Sequence, residues 1–221
     1  MELTDTEVRV LGALVEKEMS TPDNYPLSLN ALTTACNQKT SRDPVVEYDD
    51  ETVLDAIESL RHRQMAATLT GRDHRVPKYR HWLPETLRLG NRELAVLCAM
   101  MLRGPQTVGE LKERTHRLHE FDDLSSVEIC LQKLAKWEPE PLAVLLPRRP
   151  GGREPRWAHL MSGQPVIPAD PDRYAEAESP LRRPSSEHES RIAALEEKIE
   201  SLSEKMEQLV QQLESFRRQF E

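Results

Sequence analysis

Cysteine is scarce in this chain. Cys36, Cys98 and Cys130 are the only three in 221 residues, and no two form a CxxC pair. An odd, scattered set excludes a disulfide framework and a cysteine-based zinc site, and it suits a reducing compartment. Each lies among apolar neighbours and is expected to be a small buried hydrophobe. Also missing is any run approaching the roughly 20 apolar residues that a membrane span needs. The opening residues, Met1-Glu2-Leu3-Thr4-Asp5, are acidic and contain no apolar leader segment. A cytosolic location and no membrane partner are therefore expected. Net positive charge is absent as well: the formal charge is −8 at pH 7. An acidic surface repels a polyanion, which disfavours indiscriminate nucleic-acid binding but leaves room for a local basic patch.

Catalytic motifs are lacking too. Gly104-Pro105-Gln106-Thr107-Val108-Gly109 has no lysine where a phosphate-binding loop needs one, and it follows a helix instead of a strand. No GxSxG is present. His116 and His119, with Glu120, Asp122 and Asp123 nearby, sit where a helix runs out, and a solvated polar turn explains them better than a metal site with its three or four convergent ligands. Asn24, Tyr25, Asn30 and Asn37 are read as turn and capping residues. No enzyme, no metal and no cofactor are expected.

What is present is periodicity. Val8, Leu11, Leu14 and Val15 recur at helical spacing, so 4–19 is predicted to be an amphipathic helix, with Thr4 and Glu7 as a capping box. Pro22 and Pro26 interrupt it. Ser28 opens a second helix carrying Leu29, Leu32 and Ala35. Asp49 or Asp50 caps a third, with Val53, Leu54, Ile57 and Leu60 inward. Residues 65–70, the basic segment from Gly71 and the stretch to Trp82 then read as strand, loop and strand. The same order returns from Asn91. Leu94, Val96, Leu97 and Met101 mark a helix that Gly104-Pro105 ends. Thr107 caps a second, with Val108 and Leu111, and Ser125 or Ser126 caps a third, with Val127, Leu131 and Leu134. Strands at 142–146 and 157–161 flank a basic loop, 148–156. The halves align: Glu7, Val10 and Leu11 match Glu93, Val96 and Leu97, and Val53, Ile57 and Leu60 match Val127, Leu131 and Leu134.

Three helices followed by a hairpin, twice over, predict a mainly α chain with small β hairpins (α+β): two tandem winged-helix domains, 1–86 and 87–164. Five prolines between 165 and 190 mark an extended linker. Over 191–221 a heptad seam follows, with Ile192, Ile199 and Met206 at the first a positions and Leu195, Leu202 and Leu209 at the first d positions. Leu213, Phe216 and Phe220 continue it. Ile at a with Leu at d favours a parallel dimer, so a C-terminal coiled-coil helix and a homodimer are expected.

Several phrases are shared with a known family: Tyr25-Pro26-Leu27-Ser28-Leu29-Asn30-Ala31-Leu32, Ala35-Cys36-Asn37-Gln38-Lys39-Thr40, Arg75-Val76-Pro77-Lys78-Tyr79, Leu102-Arg103-Gly104-Pro105-Gln106-Thr107-Val108-Gly109-Glu110-Leu111, and Arg153-Glu154-Pro155-Arg156-Trp157-Ala158-His159-Leu160. On these the chain resembles the bacterial YceH family over nearly its whole length. The resemblance implies tandem winged helices and carries over no catalytic residue.

Winged helices usually bind duplex DNA with the third helix in the major groove and the wing along the backbone. Here the third helices begin with Asp49-Asp50-Glu51 and with Asp122 and Asp123, which suits a helix dipole better than a phosphate. The wings are the reverse. Arg72, Arg75, Lys78 and Arg80 cluster in the first, and Arg148, Arg149, Arg153 and Arg156 in the second. Arginine forks match phosphate oxygens. Charge is accordingly uneven, with net −5 over 1–86 and +2 over 87–164. The expected function is a DNA-binding or chromosome-associated regulator contacting phosphates through these eight residues. The alternative is a protein–protein interaction scaffold without nucleic acid.

Overall fold

Thr4 sits in extended conformation at the N-cap of helix α1 (Asp5–Ser20). Its Oγ1 accepts from the Glu7 amide at 3.2 Å, and the Glu7 carboxylate accepts from the Thr4 amide at 2.6 Å. This capping box satisfies two donors that a bare helix start leaves orphaned. The computed structural model describes residues 2–71, 74–148 and 154–165, with only the backbone described at His74 and Arg75. The linker beyond its first residue and the heptads of 191–221, including Ile192, Leu195 and Phe216, lie outside the described residues. After α1, Pro22–Asn24 forms one 3-10 turn. Ser28 caps α2 (Leu29–Cys36) and Asp49 caps α3 (Asp50–His62), each accepting from the amide three residues on. Strands β1 (Ala66–Gly71) and β2 (His74–His81) pair antiparallel, with Ala66 opposite His81 and Leu69 opposite Lys78.

A short helix that the spacing did not predict, α4 (Leu83–Leu87), joins the halves, with Pro84 in its first turn, where a missing amide costs nothing. The second half repeats the first with α5 (Asn91–Arg103), α6 (Val108–Thr115), α7 (Leu124–Ala135), β3 (Ala143–Leu145) and β4 (Trp157–His159). Thr107 and Glu110 form the second capping box. The expected cap of α7 at Ser125 or Ser126 is corrected. Asp123 is the extended residue, and its carboxylate accepts from the Ser126 amide at 2.7 Å. An aspartate there satisfies the orphan donor and also complements the helix dipole. The described residues are thus α+β, with seven α-helices and two two-stranded antiparallel sheets. None of these helices is long and apolar enough to cross a membrane.

Both hairpins gain a one-residue third strand. Leu27, just before the α2 cap, bridges Tyr79, with N···O distances of 2.7 and 3.1 Å. Gln106, just before the α6 cap, bridges Trp157 in the same way, at 2.7 and 2.9 Å. The aligned glutamates match as well. Buried Glu7 accepts from Ser59 and faces Arg63 at 3.5 Å, while buried Glu93 accepts from Lys133 at 2.6 Å.

The described residues fall within one compact unit, Met1–Ile167. The amphipathic reading of 4–19 assumed one covered face. Residues 7–15 of α1 are instead all buried, as are residues 93–102 of α5, because α1 packs against α2 and α3 on one side and α5 on the other. A helix apolar all round is a buried helix. Gly12 permits the close approach: a Cβ there would lie 2.9 Å from Leu102 Cδ2. The Cys98 thiol donates to the Gly12 carbonyl at 3.4 Å. All three cysteines are free and buried, and burial pushes Cys36 up to about 12. The N-terminus joins the second half, where the Leu3 amide donates to Met161 O at 2.8 Å.

The His159 ring in β4 has a buried Nδ1 with no hydrogen-bond partner among the described residues. Burial pushes its pKa from 6.5 down to about 4, and Asp5 opposes the shift. The unfolded chain therefore takes the proton first, and stability is lost as pH falls from about 6.5 towards about 4. Replacing His159 with Leu should flatten that part of the stability–pH curve, as read from urea midpoints between pH 7 and 4.5. An unchanged slope would place the acid sensitivity elsewhere.

Candidate nucleic-acid interface

The first hairpin divides its residues by the two-residue strand period. Tyr79 and His81 turn inward and are buried, while Val76, Lys78 and Arg80 lie on the opposite side of β2. Tyr25 fixes the inner side: its hydroxyl accepts from the His81 amide at 2.7 Å. His81 Nε2 lies 2.7 Å from Glu18 Oε2, a contact that lowers the Glu18 pKa despite some burial. Of the residues read as turn and capping residues, Tyr25 thus anchors β2, and Asn37 is the C-cap of α2. Asn37 turns away to hold Tyr48, donating to its carbonyl at 2.7 Å and accepting from its amide at 2.8 Å.

The eight wing residues divide into three groups. Arg80 and Arg156 are engaged within the fold. Arg80 stacks 4.8 Å from the Trp82 ring and lies 3.6 Å from Glu85. Arg156 donates to Pro105 O at 2.9 Å and forks onto Glu110 at 3.1 and 3.4 Å, tying β4 to the α6 capping box. Lys78 is half-buried and Arg148 exposed, and neither forms an ion pair among the described residues. Arg72, Arg149 and Arg153 lie outside the described residues, and Arg75 is placed in β2 by its backbone alone.

The third helices differ in what they present. The outer side of α3 exposes Glu51, Asp55 and Glu58, with Arg61 paired to Glu58 at 2.7 Å. The outer side of α7 is less acidic and exposes Ser125, Glu128, Ile129 and Gln132. Ile129 is 67% exposed and Leu124 50%, an apolar presentation that the sequence reading missed. Its signal was the interruption of the Val127-Leu131-Leu134 inward set by an isoleucine off the stripe.

His116 caps the end of α6, 3.9 Å from Glu120, and the His119 ring packs edge-on against Phe121. Among the described residues no group of three potential metal ligands converges.

The model of a family described as "Protein of unknown function, DUF480" matches residues 3–152. A UPF0502 protein of Geobacter sulfurreducens is 50% identical over 219 residues, covering 99% of this chain and 98% of that one. A UPF0502 protein of Geotalea uraniireducens is 49% identical over 221 residues, covering 100% and 99%. One from Shewanella sp. is 45% identical over 202 residues, covering 89% and 92%.

Proposed function

We propose, from the premise that this chain belongs to the DUF480 family, that it is a non-enzymatic, cytoplasmic DNA-binding regulator built on tandem winged helices. Four of the five phrases that carry the resemblance to the YceH family lie within the matched residues 3–152. The observation that supports the fold reading is the duplicated three-helix-and-hairpin order, in which Leu27 and Gln106 each add the third strand of a wing sheet. DNA contact runs along the phosphates. Arg148 and Lys78 are exposed or half-exposed and unengaged among described residues, and Arg72, Arg75, Arg149 and Arg153 flank them in sequence. Arg80 and Arg156 act as struts that position the hairpins. Phosphate contact without base readout carries no sequence information. Unlabelled random, AT-rich and GC-rich duplexes should accordingly compete within about threefold of one another, since a single read base pair is worth roughly 1–3 kcal/mol. A strong preference for one duplex would contradict the wing reading and favour readout by α7.

Dimerisation through 191–221 is part of the same proposal. Two copies would place four wings along one polymer, and tethered weak sites add through effective concentration. Deleting residues 187–221 should give a monomer in light scattering; a dimer that survives the deletion contradicts the coiled coil.

The second reading, a protein–protein scaffold, is favoured by one feature. Leu124, Ile129 and Leu145 expose large apolar side chains on the second half, at 50, 67 and 47%. Apolar groups on a third helix suit a protein partner better than a phosphate.

A further inference from the structure

A concave site lies where the two halves meet, separate from the hairpins. Its volume is about 190 Å³. Its walls come from the end of α1, the loop after α2, the end of α5 and the end of α6. Four cations line it, Lys17, Arg103, Arg114 and Arg117, against one carboxylate, Glu16. That carboxylate is already engaged: the buried Arg42 grips it through two bonds, at 3.0 and 2.6 Å, with Lys17 at 3.7 Å. Arg114 meets Gln106 at 3.0 Å and Glu110 at 3.6 Å, and Glu110 is shared with Arg156. Arg103 bonds a neutral hydroxyl, the Ser41 Oγ, at 2.5 Å. Arg117 is exposed and forms no ion pair among the described residues.

Positive charge is thus gathered in a hollow in excess of the negative charge around it. Burial and the nearby Arg114 lower the hold of Arg103 on its proton, with Arg42 adding to the effect and Glu16 and Asp43 opposing it. Gathering like charges costs energy unless something anionic relieves it. The loop wall is specially held as well. Ser41 is in the left-handed region at φ 61, a conformation that a non-glycine residue keeps only when its surroundings hold it there. The hydroxyl that Arg103 grips is therefore presented from a held position, and the Asp43 amide ties the same loop to Leu102 O at 2.9 Å. Hydroxyls at Thr40 and Ser41 add neutral donors around the cations, while the Ser20 hydroxyl already donates to the Glu16 carbonyl at 2.6 Å.

We propose that this seam is a binding site for a small soluble oligophosphate anion, with pyrophosphate as its minimal form. Guanidinium forks and hydroxyls are the groups that recognise phosphate oxygens. The volume is below the roughly 300–1,000 Å³ of whole-ligand pockets, which suits a phosphate pair and leaves the rest of a larger ligand outside. Because its walls come from both halves, an anion bound there favours the docked arrangement over any opened one. The site is independent of the wing reading and stands or falls without it.

Titration calorimetry of the full chain with sodium pyrophosphate tests it. Saturable one-to-one binding is expected. R117Q, which removes an exposed charge with no partner among the described residues, should weaken binding about tenfold, the effect of one charge-assisted contact. K136Q, which removes a charge at the C-cap of α7, outside the lining of the hollow, should leave it unchanged. Three results overturn the proposal: no binding up to millimolar pyrophosphate, equal weakening by both substitutions, or displacement of pyrophosphate by random duplex DNA, which would assign the pocket to a nucleic-acid backbone.

Discussion

Replacing Arg148, Arg149 and Arg153 with glutamate should abolish binding to random duplex DNA while leaving the fold intact. Arg148 is exposed and forms no ion pair among the described residues, so its loss disrupts no internal contact there. A charge-assisted hydrogen bond contributes about 1.5–3 kcal/mol, so three lost phosphate contacts weaken binding by at least about three orders of magnitude before repulsion is counted. The melting temperature should fall by no more than about 6 °C, because substitutions away from packed or paired sites usually change stability by under roughly 0.5 kcal/mol each and 1 kcal/mol is worth roughly 2–4 °C at this size. Arg156→Glu is the contrast. It places a carboxylate against Glu110 and removes the strut between β4 and α6, so it should lower stability as well as affinity. A triple variant that binds DNA as tightly as the parent contradicts the wing model.

Arg42→Ala should destabilise the protein by about 3–5 kcal/mol, the cost of breaking a buried ion pair from one side. The Arg42 side chain is fully buried and grips Glu16, the carbonyls of Ala35 and Ser41, and the Gln38 side chain. Truncation strands that carboxylate and two carbonyls. At roughly 2–4 °C per kcal/mol for a unit of this size, the melting point falls by about 10 °C. The double variant E16Q/R42M, which removes both charges, should recover a good part of the loss, because a buried pair replaced by neutral groups often costs little. Urea unfolding of the parent, single and double variants measures both effects. A single-variant loss below about 1 kcal/mol would show that the pair is no anchor of the loop.

How legible these features were depends on how local they are. Thr4 and Glu7 are three residues apart, so the spacing alone located that capping box; Thr107 was legible as a cap, while its partner Glu110, at the same spacing, was passed over. The matched positions Glu7 and Glu93 were visible as a repeat, and their shared burial followed. Asp123 was missed as the cap of α7 because Ser125 and Ser126 offered equally good side chains two and three residues on. Leu27 and Gln106 gave no strand signal, because a one-residue bridge has no period. The packing of α1 on α5 was hidden by reading α1 as one-sided. The signal that was available is the unbroken apolar run from Leu94 to Leu102, longer than one covered face requires. Buried Arg9 and Arg42 were not legible at all. Arg9 donates to the carbonyls of Cys36 and Pro44, 27 and 35 residues away, and a carbonyl has no sequence signature.

The candidate interface was legible as charge and only partly as geometry. Arg80 and Arg156 look like their neighbours in composition, yet their partners, Glu85 and Glu110, draw them into the fold. The Arg156 partner lies 46 residues away, beyond any spacing rule.

The central claim is phosphate contact by the hairpins. Fluorescence anisotropy of labelled random duplex DNA, titrated with the full chain at low and at physiological salt, tests it most directly. The account predicts saturable binding whose logarithm falls linearly with the logarithm of salt, at about −0.9 per phosphate contact. No binding at low salt would contradict it and make the scaffold reading the one to pursue.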